Sequence, residues 1–177
     1  FKSVEAYRNY LGKTYKKSDE EFDAILQQKL KAAQGATARM EALASVAKAH
    51  GVSIASHDDD SPEKVSIVHS LGAVISEFPI NLETAQAAKA KGLATLFGAP
   101  NILRGKSQSG SMRALDAVIN KVADCLCGDY SPAALLPAAL ALPALAGISI
   151  SEAVALVTLN PARAAGLNDR WQIAVGK

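Results

Sequence analysis

The sequence predicts an α/β fold with parallel strands, and three observations predict it. Gly51, Gly72 and Gly92 recur 21 and 20 residues apart, each closing a helical pattern. Each glycine leads into a short apolar run, over residues 52–56, 73–76 and 93–97, and a fourth run follows at 122–127. Between the runs lie polar or glycine-rich loops and Ala-rich amphipathic helices, the last of them expected over 112–121. Strand, loop and helix repeated at this length means parallel strands joined by helical crossovers. About four such units make an open sheet or part of a (β/α)8 barrel, which in full takes roughly 250 residues. The chain has 177 residues, no initiator Met and no strand pattern before Gly51. The expectation is therefore the C-terminal half of a TIM-type barrel, which needs its missing N-terminal half to cover a sheet edge and the inner face. Residues 1–50 read as a helical segment, 51–167 as the barrel βα units, and 168–177 as a strand and turn leaving the barrel.

Composition narrows the class. Hydrophobic residues at 49% and charged residues at 20% suit a folded domain rather than a disordered one. Net charge is only +2, aromatics are scarce, and no basic stripe interleaves with them, so no nucleic-acid partner is expected. Cys125 and Cys127 stand in a Cys-x-Cys run that fits neither a disulfide framework nor a zinc ribbon. Both read as buried thiols in a cytoplasmic protein. Residues 130–150 carry no charge, long enough to span a bilayer, but Pro132, Pro137 and Pro143 interrupt them. A buried helix pair is expected there, and no membrane.

Residues 1–17 are basic and aromatic, with Lys2, Arg8, Lys13, Lys16 and Lys17 against Glu5 alone. They read as a solvated helix with a tyrosine edge, or as a lid that attracts an anionic ligand. Ser18-Asp19-Glu20-Glu21 is a capping box, followed by Phe22, Ile25, Leu26 and Leu30 at helical spacing. The pattern breaks near Gly35 and resumes to His50, a last-turn histidine ahead of Gly51. After the first strand run comes Ser56-His57-Asp58-Asp59-Asp60-Ser61-Pro62-Glu63, with Ser61 an N-cap and Pro62 at the first helical position. His69 lies inside that helix and reads as structural. Ser149 and Ser151 can cap a helix running through Thr158, Asn160 caps another before Pro161, and residues 171–177 look like a strand and turn.

Parallel strands bring their C-terminal ends to one rim, where α/β proteins place chemistry. That rim would carry His57 with Asp58, Asp59 and Asp60, then Glu77, then the segment 98–107, then Gly128-Asp129-Tyr130. A neutral imidazole beside carboxylates is a ready divalent-metal ligand set; taken singly, the acidic motif is also compatible with a solvated turn. Gly105-Lys106-Ser107 resembles the end of a Walker A loop, but six residues rather than four separate Gly98 from Gly105, and the match fails. A loop with Arg104, Lys106, Ser107, Ser109 and Gly110 at a helix start can still hold phosphate; the other reading is a flexible turn with solvated cations.

Taken in order, these blocks resemble a known family. Asn160-Pro-Ala-Arg163, Gly166-Leu167 and Ile173-Ala-Val-Gly-Lys177 are similar to the end of amidohydrolase-superfamily barrels, a resemblance that implies residues 168–177 start the return to a small β-sandwich. Ser56-His-Asp-Asp-Asp60, Ile75-Ser-Glu-Phe-Pro79, Gly98-Ala-Pro-Asn101, Arg104-Gly105, 107–110 and Asp129-Tyr130 together resemble one branch, the alpha-D-ribose 1-methylphosphonate 5-triphosphate diphosphatases of the carbon–phosphorus lyase pathway. The resemblance implies a metal-dependent hydrolase that releases pyrophosphate from a phosphorylated sugar phosphonate. It implies His57, Asp129 and Glu77 as metal ligands, with Asp129 also handling the proton of the attacking water. Asp58 and Asp59 would stand behind the ligands, and Arg104, Lys106, Ser107, Ser109 and Asn101 would bind substrate phosphates. The metal is expected to be Zn, with Mn or Fe as alternatives, and the protein a homo-oligomer. Gln108 and Ser111 depart from the family pattern, which commonly has His and Asn there. Other functions weighed are a different amidohydrolase, acting on a cyclic amide or as a deaminase, and a non-catalytic barrel scaffold.

Overall fold

A computed structural model describes residues 3–107, 110–171, 173 and 175. The chain divides into two compact units, Phe1–Leu43 and Ala44–Lys177. In the first, helices α1 (Val4–Tyr15) and α2 (Asp19–Ala33) meet through Phe22, which is fully buried. Tyr7 packs edge-on to Phe22 at 5.8 Å, and the Arg8 guanidinium lies 4.1 Å from the same ring while binding Asp19 and Asp23. The capping box forms as the sequence predicts: Ser18 accepts from the Glu21 N–H, and Glu21 accepts from the Ser18 N–H. Helix α3 (Ala36–Ala49) starts after the break at Gly35 and buries none of its side chains.

The second unit holds a four-stranded parallel sheet in the order β1-β2-β3-β4. The strands are β1 (Ile54–His57), β2 (Ala73–Glu77), β3 (Ala94–Gly98) and β4 (Cys125–Cys127). Helix α4 (Pro62–Ser70) links β1 to β2, and α5 (Leu82–Ala90) links β2 to β3. Two helices, α6 (Ala99–Arg104) and α7 (Ala114–Ile119), link β3 to β4, and α8 (Leu135–Ala146), α9 (Ile150–Ala155) and α10 (Leu159–Ala164) follow. Ser61 and Asn81 cap α4 and α5 by accepting the N–H three residues on.

The helices pack on one face of this sheet. Ile54 and Ala73 meet Val65, Val68, Ala88 and Leu93, while Phe97 and Leu126 enter a larger core with Ile102, Ala117, Val118, Ala138 and Leu142. The slip in register between Ile54 and Ala55 lets Ala73 and Ser76 both turn to the helix side. The opposite face carries Ala55, His57, Glu77, Leu96 and Cys125, with His57 paired to Glu77, Glu77 to Leu96 and Leu96 to Cys125.

Beside the amino-terminal end of β4, Asp124 knits β3, β4 and α5 together. Its carboxylate accepts from the Thr95 N–H at 3.1 Å and the Thr95 hydroxyl at 3.2 Å, and pairs with Lys89. The outer edge of β4 is occupied too, because the Leu126 N–H donates to Leu156 O and Asn160 Nδ2 donates to Asp124 O.

Several expectations are corrected. Segment 98–107 is mostly the helix α6, ended by Gly105 at φ +69°, rather than a loop before a helix. Apolar contacts of Ala99 and Ile102 favour helix there over an open turn. The uncharged run 130–150 forms a 3₁₀ turn (Pro132–Ala134) and the single helix α8 with Pro143 inside it, not a buried pair. Leu136, Leu140 and Leu145 on α8 are exposed, and no described helix is long and apolar enough to cross a membrane. Asn160 is inside α10, whose N-cap is Thr158, because its amide is taken up by Asp124 O. The helix after Ser149 ends at Ala155, three residues short of Thr158. The predicted strand 171–177 lies in part outside the described residues, and Trp171, Ile173 and Val175 are not in a strand.

Replacing Asp124 with Ala would orphan the Thr95 backbone N–H and Lys89. Chemical denaturation of Asp124→Ala is expected to show a loss of about 1–3 kcal/mol.

Candidate functional site

The site begins with what happens to the backbone where strands end. Asp58, Phe78 and Asp129, just past β1, β2 and β4, have φ of +53°, +53° and +49°. The left-handed region suits Asp but is unusual for a bulky Phe, and such strain persists only where neighbours impose it. Here they do. The Asp58 N–H donates to Glu77 O and the Phe78 N–H to Leu96 O, both at 2.9 Å, so the parallel ladder runs one residue past each strand and then turns.

Beneath this rim is a buried carboxylate. Asp59 is fully buried, and its Oδ2 accepts from Ser56 Oγ at 2.6 Å and Ser76 Oγ at 2.5 Å. Among the described residues its Oδ1 has no hydrogen bond, but it lies 3.5 Å from Lys64 Nζ. The same ammonium donates to His57 O at 3.0 Å and Asp58 O at 2.9 Å. Lys64 therefore holds the strained turn from below while helping to neutralise Asp59. Nothing in the sequence marked Lys64, because a lysine in a first helical turn reads as a solvated charge.

Above the rim is a cleft of about 110 Å³ lined by Asp58, Asn101, Arg104, Ser107 and Asp129, together with Ser111, Met112 and the rings of Phe78 and Phe97. Five predicted residues thus share one cavity. His57, Glu77, Asp59 and Lys106 do not line it. His57 sits at its margin, with Nδ1 3.2 Å from Asp58 Oδ2 and its ring edge-on to Phe78 at 5.3 Å. Asp59 faces away, into the polar layer below. Asn101 Oδ1 accepts from the Ala114 N–H at 3.0 Å, so it caps α7 while lining the cleft. Ser109 and Gln108 lie outside the described residues.

Glycines make room for Asp129. A Cβ on Gly98 would come 3.3 Å from Asp129 Oδ2 and 3.6 Å from the Phe78 ring. A Cβ on Gly128 would come 2.8 Å from Pro132 Cα, closer than side chains tolerate against backbone. The Ser131 N–H donates to Gly128 O at 2.9 Å and closes the turn that carries Asp129 and Tyr130. Tyr130 in turn accepts a hydrogen bond from Arg104 Nη1.

Electrostatics behind the cleft keep the cysteines neutral. Burial pushes the Cys125 thiol up to about 12, with the Asp124 carboxylate adding to it. Burial also raises Cys127; the Asp129 N–H works against this, whereas the charges of Glu77 and Asp129 reinforce it. Both thiols were expected to be buried; Cys125 is, and Cys127 is half-buried. As to metal, the donors are right in kind for a divalent cation but incomplete in number. Among the described residues no group of three or more His, Cys, Asp or Glu side chains is arranged to hold one.

Fold and cleft define a parallel α/β protein with a polar site at the carboxyl ends of its strands, where carboxylates face a guanidinium. Over its whole length the chain is 38% identical, across 180 aligned residues, to the alpha-D-ribose 1-methylphosphonate 5-triphosphate diphosphatase of Escherichia coli (strain K12). The chain spans 48% of that relative's length. The resemblance read from the ordered motifs is upheld by this identity. No protein-family model matches the chain.

Two measurements check the site. Gly128→Ala must move the turn away from Pro132, an overpacking expected to cost about 1–3 kcal/mol in denaturant unfolding. For Cys125 the folded pKa lies above the unfolded value, so its contribution to stability is full below about pH 8.5 and is lost as pH rises from there towards 12. A thiol reagent at pH 8 should leave Cys125 unmodified in the folded protein and label it once denaturant is added.

Proposed function

We propose that this chain forms the phosphate-facing side of a diphosphatase active site, within a (β/α)8 barrel of the amidohydrolase kind. The observation that carries the reading is one cleft shared by Arg104, Asn101 and Ser107 with Asp129 and Asp58. A neutral cyclic amide would have no use for a guanidinium there. The barrel is supported by strand order. Strands in strict sequence, joined by crossovers of one hand, put every helix on the same face and leave the other for a barrel interior; a doubly wound sheet reverses its order and covers both. The name of the Escherichia coli relative supports a substrate of the ribose methylphosphonate triphosphate type, met in phosphonate catabolism.

In this reading Arg104 takes phosphate oxygens through its planar fork, a geometry suited to bidentate contact. Ser107 and the Asn101 amide complete the cradle. Water attacks the phosphorus bonded to the ribose oxygen, its new P–O bond forming as the bridge to the outer two phosphates breaks. Pyrophosphate leaves with the electron pair, and the sugar keeps a 5-phosphate. Asp129 takes the proton of the water, a role open to a carboxylate within hydrogen-bond reach. A divalent cation, Zn first with Mn or Fe as alternatives, would offset phosphate charge and make the water more acidic. Asp129 in the cleft, with His57 at its margin and Glu77 paired to His57 on the next strand, would be the donors this chain offers it, a set that the described residues do not gather around one point.

The test uses the full-length protein loaded with Zn or Mn, ribose 5-triphosphate as substrate, and a pyrophosphate assay. Asp129→Asn is expected to lower kcat by about 10²–10⁴. Ring opening of a cyclic amide, or release of ammonia from an amino-substituted base, with no pyrophosphate from triphosphates, would overturn the assignment.

A further inference from the structure

We propose that Tyr130 is a positioning residue that holds the Arg104 guanidinium in its phosphate-binding orientation. The inference rests on the cleft's reading as a phosphate site and adds the device that orders it. Arg104 is exposed, and among the described residues it has no carboxylate partner. Its Nε and Nη2 donate to Lys106 O at 3.4 and 3.3 Å, and its Nη1 donates to the Tyr130 hydroxyl. The guanidinium carbon also lies 5.8 Å from the Tyr130 ring.

A long, exposed arginine samples many rotamers, and each must be given up when it grips a ligand. Neutral acceptors on two sides fix the fork without cancelling its charge, as a carboxylate would. Two N–H groups remain, one on each terminal nitrogen, and Arg104 lines the cleft with Asp129. The platform that carries Tyr130 is itself rigid. Gly128 is pressed against Pro132, Ser131 closes the turn onto Gly128 O, and Asp129 stands next to Tyr130 on the same turn. One turn therefore sets both the carboxylate that handles the proton and the hydroxyl that aims the cation. A lysine at 104 would keep the charge and lose the geometry.

The experiment is a double-mutant cycle in the full-length protein: wild type, Tyr130→Phe, Arg104→Gln and the double variant. Inorganic tripolyphosphate is the binding probe, read by calorimetry, and ribose 5-triphosphate is the kinetic substrate. Tyr130 is 58% exposed, so loss of its hydroxyl should leave the melting temperature unchanged. Tyr130→Phe is expected to weaken tripolyphosphate binding about 3- to 10-fold and to raise KM alike, with kcat within about twofold. In the Arg104→Gln background it should have no further effect. An equal loss in both backgrounds would make Tyr130 a direct ligand contact and overturn the proposal, as would no loss in the wild-type background. Coupled tripolyphosphate binding without pyrophosphate release would sink the diphosphatase reading and leave this inference standing.

Discussion

Handedness of the βαβ crossover is the constraint on which the rest depends. A right-twisted strand that feeds a right-handed helix packs back onto its sheet one way only. Applied without a reversal of strand order, that rule places α4, α5 and the α6–α7 pair on one face and every strand's carboxyl end on one rim. The rim is then a meeting place for residues far apart in sequence. Asp58 and Asp129 reach the same cleft because of it, and so do Asn101 and Arg104.

The two ends of the sheet divide their labour. At the amino-terminal end Asp124 has every partner it needs, with Lys89 and Thr95 on its carboxylate and Asn160 on its carbonyl. Such a satisfied network favours stability over chemistry. At the carboxyl-terminal end the polar groups are placed less economically. Asp58, Phe78 and Asp129 accept left-handed backbone, and Asp59 is buried with one oxygen facing a lysine at 3.5 Å and, among the described residues, no hydrogen bond. Backbone strain of this kind costs on the order of 1–3 kcal/mol per residue and collects where a protein must aim a group. Phe78 shows the purpose well: its strained backbone sets a ring against His57 on one side and beside Asp129 and Gly98 on the other.

Much of this was legible in the sequence. Glycines at near-equal spacing closed the helices, β-branched and apolar runs marked the strands, and Ser18, Ser61 and Ser149 announced helix starts that the structure bears out with side-chain caps. These signals are local, so propensity and hydrogen bonding within a few residues suffice to write them. Strand ends could be located, and with them the candidates Asp58, Asn101, Arg104, Ser107 and Asp129.

What only tertiary structure decided is which of those candidates meet, and what holds them. Asp58 and Asp59 are adjacent in sequence, yet one lines the cleft and the other is buried below it, because a single left-handed residue turns the chain between them. The segment 98–107 reads as a phosphate loop by composition, but burial of Ala99 and Ile102 against α7 and α8 makes it a helix with Arg104 in its last turn. Lys64 and Tyr130 gained their roles from carbonyls and a guanidinium supplied by other elements, contacts that no spacing in the sequence encodes. By itself the sequence determined the repeating unit, the strand ends and the chemical types gathered there. Packing determined the cleft, since long-range burial and backbone strain act only once the strands lie side by side.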